Sequence, residues 1–306
     1  MTRSALLYLS RQSWLRHWME HSSLSARFTS RFIAGNTLAD ALQVCRRLEA
    51  EQIFVTLDYL GENVTSPAEA QASRDAYLHS LDGLAAIGGE GNRCSVSLKL
   101  TQFGLDFSAD ECLANVRPLV NRAREIGSRV EIDMEGSDYT DRTLDLVSKL
   151  HADGGPVRAV IQAYLHRSGD DITRLCRERI PVRLCKGAYK EPPSVAFVQK
   201  SDVDANYVRL MKQLLDEGSY PAIASHDEGV VQEALRHVQD RGYGPDRFEF
   251  QMLYGIRRDL QRFLVGKGYR LRLYVPYGGA WYPYFMRRLA ERPANILFLV
   301  RNLLRS

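Results

Sequence analysis

Charged and reactive side chains recur at the ends of seven of the eight short apolar runs in this chain of 306 residues. The set combines cations, carboxylates, amides, hydroxyls and one imidazole, namely Lys99, Asp133, Glu135, Gln162, Arg183, Lys186, Ser225, His226, Asp227, Gln251 and Tyr274. A charge within an apolar run requires a partner or a ligand. If the run ends converge in space, this combination predicts a functional cluster. A pair such as Lys99 and Asp133 could also be a structural ion pair.

The segment after the eighth run carries two adjacent arginines. Pro283 suits the first turn of a helix. Four side chains then follow at spacings that place them on one helical face, namely Tyr284, Arg287, Arg288 and Glu291. Two guanidinium groups can hold a carboxylate from two sides. The pattern predicts a binding site for a small carboxylate substrate, and the alternative is a solvated basic face.

Two familiar chemistries could use the residues at the run ends. Lys99 or Lys186 could be the nucleophile of a Schiff-base aldolase or lyase. His226, Asp227 and Glu228 could bind a metal for hydrolysis. The metal hypothesis is weak because His226 is the only histidine at a run end and the first run contains no HxH motif. A barrel that binds amino acids without catalysis is a further alternative.

A large anionic cofactor fits the same residues better, since donors outnumber metal ligands. Arg183, Lys186, Gln162 and His226 are the candidate donors. Lys186 and Gly187 suit a phosphate, because glycine lets the backbone approach closely while lysine supplies charge.

The eight apolar runs alternate with helical patterns, which favours a parallel sheet. The runs cover residues 53–60, 94–100, 129–135, 158–164, 181–187, 221–227, 248–253 and 271–276. Eight such units predict a (β/α)8 barrel, whose chemistry lies at the carboxyl ends of the strands. A doubly wound sheet would need a glycine-rich phosphate turn after the first strand, and no GxGxxG occurs there. No linker divides the chain, so we expect a single domain over residues 1–306.

We expect residues 1–50 to form an N-terminal helical extension. Its first 35 residues contain amphipathic segments that predict one or two helices over the bottom of the barrel, with membrane contact as the alternative. The N-terminal apolar stretch is too short for a signal peptide, and no segment approaches a membrane span. These features predict a cytoplasmic protein.

Charge and cysteine content exclude several classes of partner. The net charge is +4 and is spread along the chain, which does not favour nucleic acid. The five cysteines are odd in number, widely spaced and without a CxxC motif, so neither a disulfide framework nor a structural zinc site is expected.

Seven ordered motifs resemble those of the bacterial monofunctional proline dehydrogenases. They are EIDMEG, VIQAY, RLCKGAYKEP, ASHDE, FEFQMLYG, LYVPYG and YFMRRLAER, each at its expected strand or helix. The resemblance runs from about the first strand to the C-terminus. It implies a distorted (β/α)8 barrel that holds FAD non-covalently and a C-terminal lid helix over the substrate. It also implies oxidation of L-proline to Δ1-pyrroline-5-carboxylate, the first step of proline degradation to glutamate.

The resemblance assigns roles residue by residue. Asp133 and Arg183 match catalytic positions, and Arg183 would lie near flavin N5. Substrate contacts would come from Lys99, Tyr189, Leu253, Tyr274, Tyr284, Arg287 and Arg288. Flavin contacts would come from Met134, Gln162, Arg183, Lys186, Gly187, Ala188, Ser225 and His226. Glu291 would help to close the site.

The resemblance further implies a membrane quinone as electron acceptor, and hence peripheral contact with the inner face of the cytoplasmic membrane. No aldehyde dehydrogenase domain follows in the sequence, so the product would pass to a separate pyrroline-5-carboxylate dehydrogenase. Two positions depart from the family pattern. Cys185 stands where valine is common, and the family often has threonine at Ser225.

Overall fold

Eight parallel strands pair in sequence order and close into a barrel in the computed structural model. The structure describes residues 30–61, 64–87, 93–282 and 284–286. The strands are β1 Phe54–Tyr59, β2 Cys94–Leu98, β3 Val130–Ile132, β4 Val157–Gln162, β5 Val182–Cys185, β6 Ala222–Ala224, β7 Glu249–Leu253 and β8 Leu271–Tyr277. The predicted (β/α)8 fold is confirmed.

Helices surround the barrel and cover the outward side of its strands. They are α1 Leu38–Ala50, α2 Pro67–Ile87, α3 Ala109–Glu125, α4 Thr140–Ala152, α5 Ser168–Arg177, α6 Lys200–Glu217, α7 Glu228–Asp240 and α8 Arg258–Gly266. Two short 3-10 helices, Leu100–Phe103 and Ser137–Tyr139, follow β2 and β3. The main apolar core lies between strands and helices, where alternate strand residues such as Val130 and Ile132 are fully buried.

Helix α1 precedes the barrel in sequence but belongs to its outer layer. A reciprocal capping box starts it: Thr37 accepts a hydrogen bond from the backbone N–H of Asp40, and the Asp40 carboxylate accepts one from that of Thr37. The helix packs against β1, β8 and α2. It therefore fills the outer position between the last and first strands. Residues 1–29 of the predicted extension lie outside the described residues.

The chain after β8 turns beside the carboxyl end of β1. Gly278 makes the turn with φ of +116°, a conformation that favours glycine. Residues 281–282 and 284–286 are helical. They pack with the end of β1 in a small apolar cluster composed of Ile33, Leu60, Trp281, Tyr282, Tyr284, Phe285 and Met286. The beginning of the expected lid thus lies beside the barrel, and the remainder lies outside the described residues.

The inside of the barrel carries buried charges, where bulky apolar side chains are usual. Arg158 and Arg272 are at most 1% exposed, and Glu131 and Glu249 are fully buried. Arg158 donates to Glu249 at 2.5 Å, and Arg272 donates to it at 2.8 Å. Arg158 also lies 3.2 Å from Glu131. These charges partner one another, as buried charges must; we call the four residues the interior ion network.

Within the described residues, no helix combines the length and hydropathy needed to cross a membrane. All five cysteines are free thiols.

Candidate active site

The predicted site residues that the structure describes collect at one end of the barrel. Because all eight strands are parallel, their carboxyl ends share one edge. Lys99 follows β2, Asp133 and Met134 follow β3, Gln162 ends β4, Lys186, Gly187 and Ala188 follow β5, Ser225 and His226 follow β6, Leu253 ends β7, and Tyr274 lies in β8. Residues predicted from seven separate runs therefore share one rim.

Asp133 is the hub of this rim. Ser97 donates to its Oδ1 at 2.7 Å, Tyr274 donates to its Oδ2 at 2.9 Å, and Arg183 forms an ion pair with it. Burial alone would raise the pKa of Asp133, but the charges of Arg183 and Lys99 and these hydrogen bonds hold that pKa below its usual range. The carboxylate is therefore a stable anion with both oxygens engaged, which suits it to orienting cations more than to accepting a proton.

Lys99 is held between two carboxylates. Its Nζ lies 3.8 Å from Asp133 and 3.9 Å from Asp58. Asp58, in β1, is 1% exposed. It was missed by sequence reasoning, although a carboxylate inside the apolar run FVTLDY was an available signal. Schiff-base lysines are activated by apolar pockets or neighbouring cations, so two anionic neighbours weigh against that chemistry at Lys99.

Arg183 lies deeper than the other predicted cofactor contacts. It donates to Glu131 at 3.0 Å and to Gln251 at 3.3 Å, and it lies 5.3 Å from the ring centroid of Tyr274. Burial alone would lower the pKa of Arg183, but Asp133 and Glu131 together raise it above its ordinary value. The side chain is a fixed cation that connects the rim to the interior ion network.

Gln162 has both ends of its amide fixed by backbone groups. Its Nε2 donates to the carbonyl of Glu135 at 2.9 Å, and its Oε1 accepts from the N–H of Ala188 at 3.3 Å. Glu135 in turn accepts from the N–H and hydroxyl of Thr101. These bonds join the loops after β2, β3, β4 and β5, so the rim has a defined shape before any ligand binds.

At Gly187, in the exposed loop after β5, the backbone packs closely against the ring of Tyr164. The φ of +120° at Gly187 disfavours residues with a side chain, and an added Cβ would overlap the ring of Tyr164. Gly187, Ala188 and Tyr189 are all exposed. The loop therefore exposes its backbone at the rim, where a large ligand can contact it.

Lys186, predicted to meet a phosphate, has two carboxylate partners. Its Nζ lies 2.5 Å from Asp204 and 2.8 Å from Asp227. Asp227 also caps α7 by accepting from the N–H of Gly229 at 3.0 Å. The lysine side chain keeps 28% of its surface exposed. Its position is set by helices α6 and α7, and its remaining surface faces outward.

His226 is fixed by the backbone of the next strand. The N–H of Leu253 donates to its Nε2 at 2.8 Å, so this nitrogen is an acceptor and the ring proton lies on Nδ1. Ser225 is buried and accepts from the N–H of Asp227 at 3.1 Å. Glu228 pairs with Arg257. The three residues proposed as metal ligands thus have other partners, and the described part of the chain contains no group of three or more metal-ligating side chains.

Tyr284 is 7% exposed within the apolar cluster after β8. The pKa of Tyr274 is raised well above its ordinary value, first by burial and then by the charge of Asp133. Tyr284 adds to this increase. Arg287, Arg288 and Glu291 lie outside the described residues, so the predicted carboxylate site stays a prediction.

Replacing Gly187 with alanine is expected to weaken binding of a cofactor at the rim by at least about tenfold. The new methyl group overlaps Tyr164 and strains the backbone by roughly 1–3 kcal/mol. Equilibrium titration of the apoprotein with FAD, the cofactor that the sequence resemblance implies, measures the loss. The control is Gly266→Ala at the end of α8, where an added Cβ meets nothing within 4 Å. Equal FAD affinity for the Gly187 variant and the control would contradict the assignment.

Comparison with known proteins gives a consistent result. A family model described as "Proline dehydrogenase" matches residues 41–301. The proline dehydrogenase of Deinococcus radiodurans is 41% identical over 281 residues and is covered to 90%, as is this chain. Proline dehydrogenase 2 of Bacillus subtilis (strain 168) is 38% identical over 99% of both chains. The crystal structure of proline utilization A from Bdellovibrio bacteriovorus, inactivated by N-propargylglycine, superposes with a TM-score of 0.81 at 27% identity, over 87% of this chain and 32% of that one.

Proposed function

This chain belongs to the proline dehydrogenase family, and on that premise we propose that it oxidises L-proline to Δ1-pyrroline-5-carboxylate. The observation that carries the proposal is the joint occurrence of the family match and the rim built around Asp133. That rim holds Lys99, Arg183 and Tyr274 in one connected set. Two cations held in place by a carboxylate suit a small substrate that carries a carboxylate and a neutral amine.

Family membership implies a flavin-dependent enzyme, and we assign the flavin as FAD. The donor set fits such a group. Without a side chain, Gly187 keeps its backbone against the ring of Tyr164, and Gln162 and His226 are held in single orientations. Lys186 would face the diphosphate with its exposed surface, and Met134, Ala188 and Ser225 would line the remainder. When bound, the flavin supplies a two-electron acceptor for the hydride that leaves proline C5.

The charges of the rim favour the reactive form of the substrate. Proline must react as the neutral amine, because the nitrogen lone pair expels the hydride from C5. Lys99 and Arg183 are cations at the rim, so they raise the free energy of a substrate ammonium and favour its loss of a proton. Asp133 acts through these two cations, because its low pKa makes it a poor base. Tyr189, Leu253 and Tyr274 would form the walls around the proline ring.

The electrons are proposed to leave to a membrane quinone. Proline loses two electrons and two protons in forming pyrroline-5-carboxylate, and a quinone takes up both in forming a quinol, so the reaction balances. This acceptor requires peripheral contact with the membrane. The product would then pass to a separate pyrroline-5-carboxylate dehydrogenase.

An anaerobic titration tests the proposed function directly. The purified protein is expected to be yellow and to bleach on addition of L-proline, because reduced flavin loses its visible absorption band. L-alanine is the matched control, since it offers the same carboxylate and amine without the ring. Borohydride trapping of substrate on Lys99 or Lys186 would instead support a Schiff-base lyase. A colourless protein that takes up no FAD would overturn the proposal.

Arg288→Met is expected to raise the KM for proline by about 30-fold or more with FAD still bound. A charge-assisted hydrogen bond pair to a carboxylate is worth roughly 2–3 kcal/mol. Steady-state kinetics measures the change, and flavin absorbance reports cofactor content. Arg262→Met, at an exposed position of α8, is the control. An unchanged KM in the Arg288 variant would show that this arginine does not hold the carboxylate.

Tyr284 is expected to favour proline over 4-hydroxyproline by more than about tenfold, because its buried ring would crowd the position of the hydroxyl group. Tyr284→Ala should relieve that crowding and so lower the ratio of kcat/KM for proline to kcat/KM for 4-hydroxyproline. Measuring both substrates with both proteins checks the expectation. Equal turnover of the two substrates by the unmodified protein would refute it.

A further inference from the structure

Three arginines surround one tyrosine at the end of the barrel opposite the candidate active site. The guanidinium carbons of Arg129, Arg158 and Arg270 lie 5.5, 5.4 and 5.6 Å from the ring centroid of Tyr220. Arg129 immediately precedes β3 and Arg270 immediately precedes β8. We call these four residues the lower arginine cluster.

The carboxylates of the barrel interior do not balance this cluster. Arg158 pairs with Glu249 and Glu131. These two acids also form ion pairs with Arg272 and Arg183. Arg129 and Arg270, by contrast, form no ion pair with any carboxylate of the residues that the structure describes. Two positive charges therefore remain on the lower side of the interior ion network.

Arg129 has the less favourable surroundings of the two. Its Nη1 is buried without a hydrogen-bond partner among the described residues. Burial lowers the pKa of Arg129 to about 10, and Arg158 adds to this effect. Arg270, in contrast, donates to the carbonyl of Asp246 at 2.8 Å. An unpaired, desolvated guanidinium destabilises the fold unless an anion reaches it.

The lower arginine cluster is only partly shielded from solvent. Arg129, Arg270 and Tyr220 are each partly exposed, whereas Arg158 is fully buried. A small ion in solution can therefore contact the exposed parts of Arg129 and Arg270. Planar guanidinium groups bind tetrahedral or carboxylate oxyanions with charge-assisted hydrogen bonds.

We propose that the lower arginine cluster is a binding site for a small oxyanion such as inorganic phosphate, separate from the substrate and cofactor rim. The anion accepts hydrogen bonds from Arg129 and offsets the positive charges of Arg129 and Arg270. Its binding stabilises the folded barrel by mass action and leaves the chemistry at the other end unchanged.

Thermal unfolding of the full-length, FAD-loaded protein tests the proposal. Sodium phosphate from 0 to about 10 mM, against sodium chloride at matched ionic strength, is expected to raise Tm saturably by about 3 °C. At these concentrations the general stabilisation by excluded salts is small. Equilibrium dialysis with labelled inorganic phosphate should show one bound phosphate per chain.

Arg129→Gln should abolish both the phosphate shift and the extra bound phosphate while leaving proline oxidation intact. It should also raise Tm in chloride, because an unpaired buried charge is removed. Arg236→Gln is the control: this exposed arginine on α7 pairs with Glu233, and its loss should leave the shift unchanged. Arg270→Gln is the second variant should Arg129→Gln not fold. No saturable shift, or the same shift in the cluster variants, would overturn the proposal.

Discussion

Glu249→Gln is expected to lower the free energy of unfolding by about 3–5 kcal/mol, a fall in Tm of about 10 °C. Glu249 is fully buried and accepts from Arg158 at 2.5 Å and from Arg272 at 2.8 Å. An amide of the same shape leaves these buried arginines with only Glu131 as a counter-charge. Removing one member of a buried ion group is costly for this reason, even where the group as a whole adds little stability.

The pH dependence of the same variant identifies the cause. Burial alone would raise the pKa of Glu249, but Arg158 and Arg272 hold it well below its ordinary value. A depressed folded-state pKa contributes stability that is present above the unfolded-state pKa, about 4.3, and is lost as pH falls through the folded-state value. The unmodified protein should therefore lose stability steeply in acid, and Glu249→Gln should lose less over the same range.

Urea unfolding at pH 7 and at pH 3–5 measures both effects. Glu233→Gln is the matched control, because Glu233 lies on the surface of α7 in pairs with Lys212 and Arg236. Surface pairs contribute at most about 1 kcal/mol. A Glu249 variant as stable as this control at pH 7 would show that the interior ion network does not depend on its carboxylates.

Asp133→Asn is expected to lower kcat/KM for proline by about 10²–10³-fold, the cost of removing one preorganised electrostatic group. The asparagine side chain has no charge to hold Lys99 and Arg183, and its NH2 group would face donors where the carboxylate now accepts from Ser97 and Tyr274. Both cations would lose their common orientation toward the substrate.

Steady-state kinetics together with anaerobic flavin reduction separates this effect from loss of cofactor. Ser97→Ala is the control, because it removes one hydrogen bond to the same oxygen and keeps the charge of Asp133. It should cost about tenfold, in line with about 1.5 kcal/mol for a hydrogen bond to a charged group. If Asp133→Asn and Ser97→Ala were equally active, the charge of Asp133 would have no part in the reaction.

The candidate site illustrates which inferences were available from sequence and which were not. The sequence predicts that Asp133 and Lys99 share a rim, with a mutual ion pair as one alternative, since carboxyl ends of parallel strands meet. The structure brings them to ion-pair distance but adds Asp58, which sits one strand away on the other side of Lys99. A local pattern identifies a charge in an apolar run, but it does not reveal which strands will face it across the barrel.

The loop after β5 was also only partly predictable from sequence. The pair of Lys186 and Gly187 predicts a site where a ligand can approach the backbone closely, and the positive φ of Gly187 agrees with that interpretation. The partners of Lys186 were not predicted, because Asp204 lies in α6 and Asp227 caps α7, and the relative placement of these helices depends on packing. The strand itself ends at Cys185, before the end of the predicted run, since the rim residues leave the sheet to line the opening.

The sequence by itself determined the family, the barrel and the set of side chains at its rim, because strand periodicity, run endings and motifs are local properties. Tertiary structure alone decided the partners of the charges. Arg158 and Glu249, 91 residues apart, meet only when the barrel closes. Helix α1 becomes the outer neighbour of β1 and β8 for the same reason. Charge pairing across a closed barrel depends on strand order, register and closure together, and no local pattern encodes these.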